Sequence, residues 1–143
     1  METLKVKIVK KGSKINKPAR TNDCGFDVFA TESLIIEPSE RFKMPLGIAL
    51  EMPEGYYARV ETKSGRFANE GLAVDAGIID NGYRGEVHAQ LLNTSGCEDI
   101  EIKKGEKVAQ IIFQKYYAPK ITIVKRLTTT ERGKDGFGST NKK

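Results

Sequence analysis

A chain of 143 residues, 38% hydrophobic and 30% charged, is long enough for one domain with a buried core and too apolar to be disordered. Its 24 Lys plus Arg against 19 Asp plus Glu leave a net charge of +5, part of it near the ends in Lys5, Lys7, Lys10, Lys11, Lys142 and Lys143. No apolar run approaches the roughly 18 residues of a membrane span. No dense basic helix or aromatic-interleaved patch marks a nucleic-acid surface. Two cysteines, Cys24 and Cys97, with one histidine, His88, give neither a disulfide framework nor a cysteine–histidine metal spacing.

Residues 1–11 alternate lysine with apolar residues and lack the apolar stretch of a secretory signal. The expectation is an intracellular protein, cytoplasmic or nuclear and not secreted. The Asn93-Thr94-Ser95 sequon is therefore read as chance. The mild basic excess suits a small anionic ligand such as a polyphosphate.

In chain order, Leu4, Val6 and Ile8 alternate with Lys5 and Lys7, an opening strand. Phe26 and Val28 flank Asp27 in a short strand, which turns Asp27 away from their face. Leu34-Ile35-Ile36 is a strand closed by Pro38, and residues 41–50 hold a strand pair with Pro45 at an edge or bend. Tyr56, Ala58 and Val60 alternate with Tyr57, Arg59 and Glu61, a clear strand. Residues 62–71 give the best helix, with Ser64 as N-cap and Gly71 as the stop. Plain capping is the commoner meaning of such a start; an anion site beside Lys63 and Arg66 is the functional one.

The stretch over residues 77–93 is the most informative. An apolar approach leads to Asp80, and Asn81-Gly82 signals a tight β-hairpin turn because both residues tolerate positive φ. The return strand places Val87, Ala89 and Leu91 on one face and Glu86, His88 and Gln90 on the other. Alone, the stretch is as consistent with an ordinary surface hairpin as with a site gathering Asp80, Tyr83 and Arg84.

Asp99-Ile100-Glu101-Ile102 is another strand, and residues 107–113 form an apolar one interrupted by Gln110, a residue able to satisfy neighbouring backbone. Residues 121–124 read as the last strand. Residues 132–140 are glycine-rich and cannot bury themselves. They are either a disordered tail or an arm that orders over a ligand, with Phe137 stacking and Arg132 clamping an anion. A P-loop is excluded, since the Gly-Lys-Ser/Thr ending is missing. About ten short strands separated by turns predict an all-β sandwich or barrel, jelly-roll-like, with one short helix. Residues 1–127 form the β domain and residues 128–143 a mobile C-terminal arm.

Five segments, in order, resemble the five motifs of the trimeric dUTP pyrophosphatases (dUTPases). They are Cys24-Gly25-Phe26-Asp27-Val28; Lys63-Ser64-Gly65; Gly77-Ile78-Ile79-Asp80-Asn81-Gly82-Tyr83-Arg84-Gly85; Gly105-Glu106-Lys107-Val108-Ala109-Gln110; and Arg132-Gly133 through Gly136-Phe137-Gly138-Ser139-Thr140. The resemblance covers residues 4–140. It implies the β-clip form of the jelly roll, and a homotrimer whose three sites each draw motifs from all three chains.

It also implies roles. Asp80 would orient and activate the attacking water. Tyr83 would lie under the deoxyribose and exclude a 2′-hydroxyl. Backbone of Gly77, Ile78, Ile79, Asp80, Asn81 and Tyr83, and the main chain of His88, would pair with uracil. Lys63, Ser64, Gly65 and Gln110 match phosphate-contacting positions, with Lys63 standing where arginine is usual. Asp27 would hold Mg²⁺ through water, the ion sitting mainly on the phosphates. Arg132, Phe137 and Gly138 match the arm that grips the γ-phosphate and covers the base. Cys24, Phe26 and Asn141 depart from the usual residues, and Arg66 has no assigned role.

The implied reaction is Mg²⁺-dependent hydrolysis of dUTP to dUMP and diphosphate by in-line attack at the α-phosphorus, with no nucleic-acid or membrane partner. It keeps uracil out of DNA and supplies dUMP for thymidylate synthesis. Two alternatives are a dCTP deaminase, for which Glu86 is the only nearby candidate glutamate, and a non-catalytic trimeric binding protein on the same fold.

Overall fold

Short alternating segments joined by turns can satisfy their backbone groups only against one another. The computed structural model describes residues 3–75 and 77–135, and among these it forms twelve strands, paired antiparallel, and one helix. Strand β1 (Lys5–Ile8) pairs with β6 (Ile48–Glu51), and β4 (Leu34–Ile36) with β11 (Ile100–Ile102). A three-stranded sheet runs β5 (Arg41–Pro45), β10 (His88–Asn93), β8 (Leu72–Asp75). A five-stranded sheet runs β2 (Ile15–Asn16), β3 (Phe26–Phe29), β12 (Lys107–Lys115), β7 (Tyr56–Glu61), β9 (Ile78–Ile79). The sheets are open ladders, so the jelly roll is a sandwich rather than a closed barrel. Pro45 ends an edge strand, where its missing N–H costs no ladder bond.

The period-two pattern sets which faces meet. Along β10 burial alternates, with Ala89, Leu91 and Asn93 inward and His88, Gln90 and Leu92 less so. Val28, Ile36, Met44, Ile48, Val87, Ile102 and Ile111 complete the core between the sheets. Asn93 is fully buried, yet it is satisfied: its Nδ2 donates to the carbonyls of Ile36 and Glu98, both at 2.8 Å, and its Oδ1 accepts the Ser95 N–H. That use takes Asn93 away from any glycosylation.

Three local expectations change. Helix α1 (Ser64–Glu70) is capped by Lys63, without a side-chain cap bond, and Ser64 is its first helical residue rather than its N-cap. Lys63 keeps extended backbone two residues past β7 and caps the helix, which therefore begins one residue earlier than expected; Gly71 closes it in left-handed backbone at φ 75°, as expected. The turn after Asp80 is not a β-hairpin. Neither Asn81 nor Gly82 adopts left-handed backbone, and β9 pairs with β7 while β10 pairs with β5 and β8. The turn is a corner carrying the chain from one sheet to another. Finally, residues 121–124 join no strand among the described residues. Among the described residues Tyr116, whose N–H donates to the Gly55 carbonyl at 2.9 Å, makes the last hydrogen bond to the body.

Candidate active site

Two clusters of the proposed residues form, at opposite ends of β7. The first surrounds the corner. Its main chain turns through the Tyr83 N–H donating to the Asp80 carbonyl at 3.1 Å. The Asn81 side chain locks the corner to the start of β7 and the loop before it, donating to the carbonyls of Tyr56 at 2.8 Å and Pro53 at 2.7 Å. Arg84 folds back onto the carbonyls of Asn81 and Tyr83. Asn81 and Arg84 are thus engaged with main chain, which leaves Asp80 and Tyr83 to face outward.

Gly77 enters the corner where a Cβ would collide with the Val60 carbonyl, and its own carbonyl accepts the Val60 N–H at 2.8 Å. The Tyr83 hydroxyl and the His88 Nδ1 both lie within hydrogen-bond reach of the Glu86 carbonyl, at 3.0 and 2.9 Å. A concavity of about 210 Å³ results, lined by Ile78, Ile79, Asp80, Tyr83 and His88, with Lys43, Glu86 and Gln90 at its side. A wider hollow of about 650 Å³ lies against the same corner and shares Ile78 and Asp80, but lacks Tyr83 and His88. Asp80 is exposed, and among the described residues its carboxylate accepts from no side chain. It is free to hold water.

Lys43 and Gln90 were missed by sequence reasoning. Both are outward residues of paired strands, and only the pairing of β5 with β10, which sets Lys43 opposite Gln90, brings them to this wall. Glu86, the acid considered for a deaminase, has its Oε1 engaged: it accepts the Gly47 N–H at 2.9 Å, a tie between loops.

The second cluster gathers Asp27, Lys63, Lys107 and Gln110. Asp27 lies opposite Gln110 across the β3–β12 ladder. Its Oδ1 takes the Lys63 ammonium and its Oδ2 the Lys107 ammonium, the latter at 2.7 Å. Burial alone would raise this carboxyl; hydrogen bonds and charge from Lys107 and Lys63 outweigh that and hold it below its ordinary value. Gln110 donates to the Thr62 carbonyl at 3.0 Å, the backbone satisfaction expected of it. Gly25 has no side chain because Gln110 fills the space where a Cβ would stand.

Ser64 and Gly65 are exposed at the start of α1 beside this cluster. Arg66 is mostly buried and pairs with Glu70 at 2.9 Å and Glu106 at 3.1 Å, tying α1 to the loop before β12. Lys107 was the other residue missed. It stands within the fourth matching segment, but its partner became visible only when β12 lay beside β3.

The clusters do not meet within one chain. Ile79 lies opposite Ala58, and Gln110 opposite Glu61, three residues along β7 or roughly 10 Å. Three strand steps, roughly 14 Å, separate β9 from β3. Arg132 is exposed, its Nε donating to the Asp135 carbonyl at 2.9 Å, away from both clusters' contacts. Phe137 and Gly138 lie outside the described residues. No helix is long and apolar enough to cross a membrane among the described residues.

Comparison with known proteins places the whole chain in one family. The dUTPase family model matches residues 11–141. The chain is similar to the deoxyuridine 5'-triphosphate nucleotidohydrolase of Clostridium tetani, 39% identical over 98% of this chain and 97% of that one. It is 36% identical to the fowlpox virus protein of the same name over the full length of both. Among solved structures it is similar to the Staphylococcus bacteriophage 80alpha dUTPase with dUpNHpp, at a TM-score of 0.90 and 26% identity, covering 97% of this chain and 98% of that chain. Every one of the five matching segments falls inside the matched span, and the chain belongs to the dUTPase family.

Proposed function

We propose that the protein hydrolyses dUTP to dUMP and diphosphate. The observation that carries this reading is the corner at Asp80. An unengaged carboxylate and a fixed tyrosine ring share one small concavity, in a chain of the dUTPase family. Water needs a carboxylate in reach to act as a nucleophile at neutral pH. Asp80 supplies it, for attack at the α-phosphorus. The Tyr83 ring sits under the sugar, and the extended main chain of residues 77–80, with that of His88, pairs with uracil. Lys63, Ser64, Gly65, Lys107 and Gln110 receive the triphosphate.

The two clusters serve one reaction if they come from different subunits. The outer chain supports a homotrimer: Tyr117 is 87% exposed, Ile121 86%, Ile123 96% and Leu127 87%. Four large apolar side chains on unpaired backbone need a partner surface. A neighbouring copy provides it, and the segment beyond, with Arg132, Phe137 and Gly138, serves that neighbour's site. Residues 128–143 are then the arm that covers the base and grips the γ-phosphate.

Among the described residues no group of three acids, cysteines or histidines could cage a metal. Mg²⁺ needs no such cage, since it binds through one or two carboxylates plus substrate phosphates. Asp27 is the residue to hold it, through water, and the ion neutralises charge on the phosphates when bound. The product dUMP is a thymidylate precursor, and removing dUTP keeps uracil from DNA. Unpaired, exposed Cys24 and Cys97 fit a reducing, intracellular compartment. The test is diphosphate release from the four dNTPs, dUTP and UTP, with and without Mg²⁺. Release confined to dUTP and dependent on Mg²⁺ is expected; equal release from dCTP or UTP would overturn the assignment.

A further inference from the structure

Asp27 faces two ammonium groups from different elements: Lys63 caps α1, and Lys107 opens β12. Both carboxylate oxygens are occupied, one by each lysine. The Asp27 side chain is 17% exposed, against 51% for Lys107. Two cations drawn to one carboxylate repel each other, and the carboxylate offsets that cost. The same two lysines lie beside Ser64 and Gln110, where a triphosphate would lie. Lysine is a point charge on a flexible stem, so it can change anions by rotating a few bonds. Asp27, fixed on β3, cannot follow.

We infer that Asp27 is an internal substitute for the nucleotide's phosphates, holding Lys63 and Lys107 in the empty site and yielding them to the triphosphate. Its two oxygens are then free for the hydrated Mg²⁺ that the nucleotide brings. Asp27 therefore acts in two directions. Without metal it competes for the lysines and repels the phosphates, so it weakens binding. With metal it strengthens binding. The site thereby discriminates the metal–nucleotide complex from the bare nucleotide. This rests on the dUTP reading above.

The experiment is calorimetric titration of the full chain with dUpNHpp, in EDTA and in Mg²⁺, reading the ratio of the two Kd values. For Asp27→Asn the metal-free affinity should tighten about tenfold, and the ratio should fall toward one. For Lys107→Met, which unblocks one Asp27 oxygen and removes one phosphate contact, metal-free affinity should weaken and the ratio should rise. A salt bridge with only a structural role would leave both ratios at the wild-type value, and ratios that are unchanged or move together overturn the inference. If Asp27→Asn does not fold, the Lys107→Met ratio decides; if Lys107→Met does not fold, the metal-free Kd of Asp27→Asn decides, and a failure to tighten overturns the inference. A wild-type chain that binds no analogue in Mg²⁺ overturns the dUTP reading, and this inference with it.

Discussion

The Tyr83 hydroxyl donates to the main-chain carbonyl of Glu86 at 3.0 Å, which holds the ring over the two residues between them. Gly85 is one of these, and a Cβ there would collide with the ring. The position of the ring is thus fixed by the corner itself, before any sugar arrives. Tyr83→Phe keeps the ring but releases it, and should lower the preference for dUTP over UTP by up to about tenfold. Gly85→Ala should displace the ring and lower kcat/KM for dUTP as well. Competition kinetics with the two nucleotides measures both.

Asp80→Asn keeps the shape of the corner and removes the base. Turnover should fall by about 10²- to 10⁴-fold while the Kd for dUpNHpp changes little. A variant that kept most of its rate would remove Asp80 from the chemistry.

Gly77→Ala tests the frame rather than the chemistry. The obstructing atom is a main-chain carbonyl, that of Val60 within the β7 ladder, and it cannot swing aside. The substitution should cost about 1–3 kcal/mol. The thermal midpoint should drop by roughly 3 °C or more per kcal/mol. Midpoints need matched protein concentrations, because assembly adds to apparent stability.

Glu106 gives a pH dependence. The Lys103 backbone N–H holds its carboxyl below the ordinary value; desolvation opposes this, and Arg66 adds to the lowering. A folded-state pKa below the unfolded one contributes stability above the unfolded value, lost as pH falls through the folded one. The loss should begin near the ordinary glutamate value of about 4.3 and continue below it. Urea midpoints from pH 6 downward should fall less steeply in Glu106→Gln than in the wild type.

The assembly is tested on the outer chain. Ile121→Asp combined with Ile123→Asp should lower the sedimenting mass from about three times 15.9 kDa. Truncation after Thr130 should leave that mass in place and abolish most activity, since it removes Arg132 and Phe137 but keeps the apolar segment.

By itself the sequence determined what repeats over short distances or sits in contiguous segments. The alternation in β7 and β10, the stop at Gly71 and the residues of the five segments needed no partner strand to be read, because side-chain period and backbone preference are local. Only the tertiary structure decided what depends on which edges meet. Asn81-Gly82 had the chemistry of a hairpin, but burying Ile79 against β7 and Ala89 and Leu91 in the core sent its two arms to different sheets. Residues 121–124 had the composition of a strand, but no sheet edge among the described residues receives them. Asp27 looked like a lone acid until antiparallel pairing set β12 beside it and the start of α1 above it. Pairing is chosen by burial summed over the whole molecule, and that sum, unlike a period, is not written in any one stretch of residues.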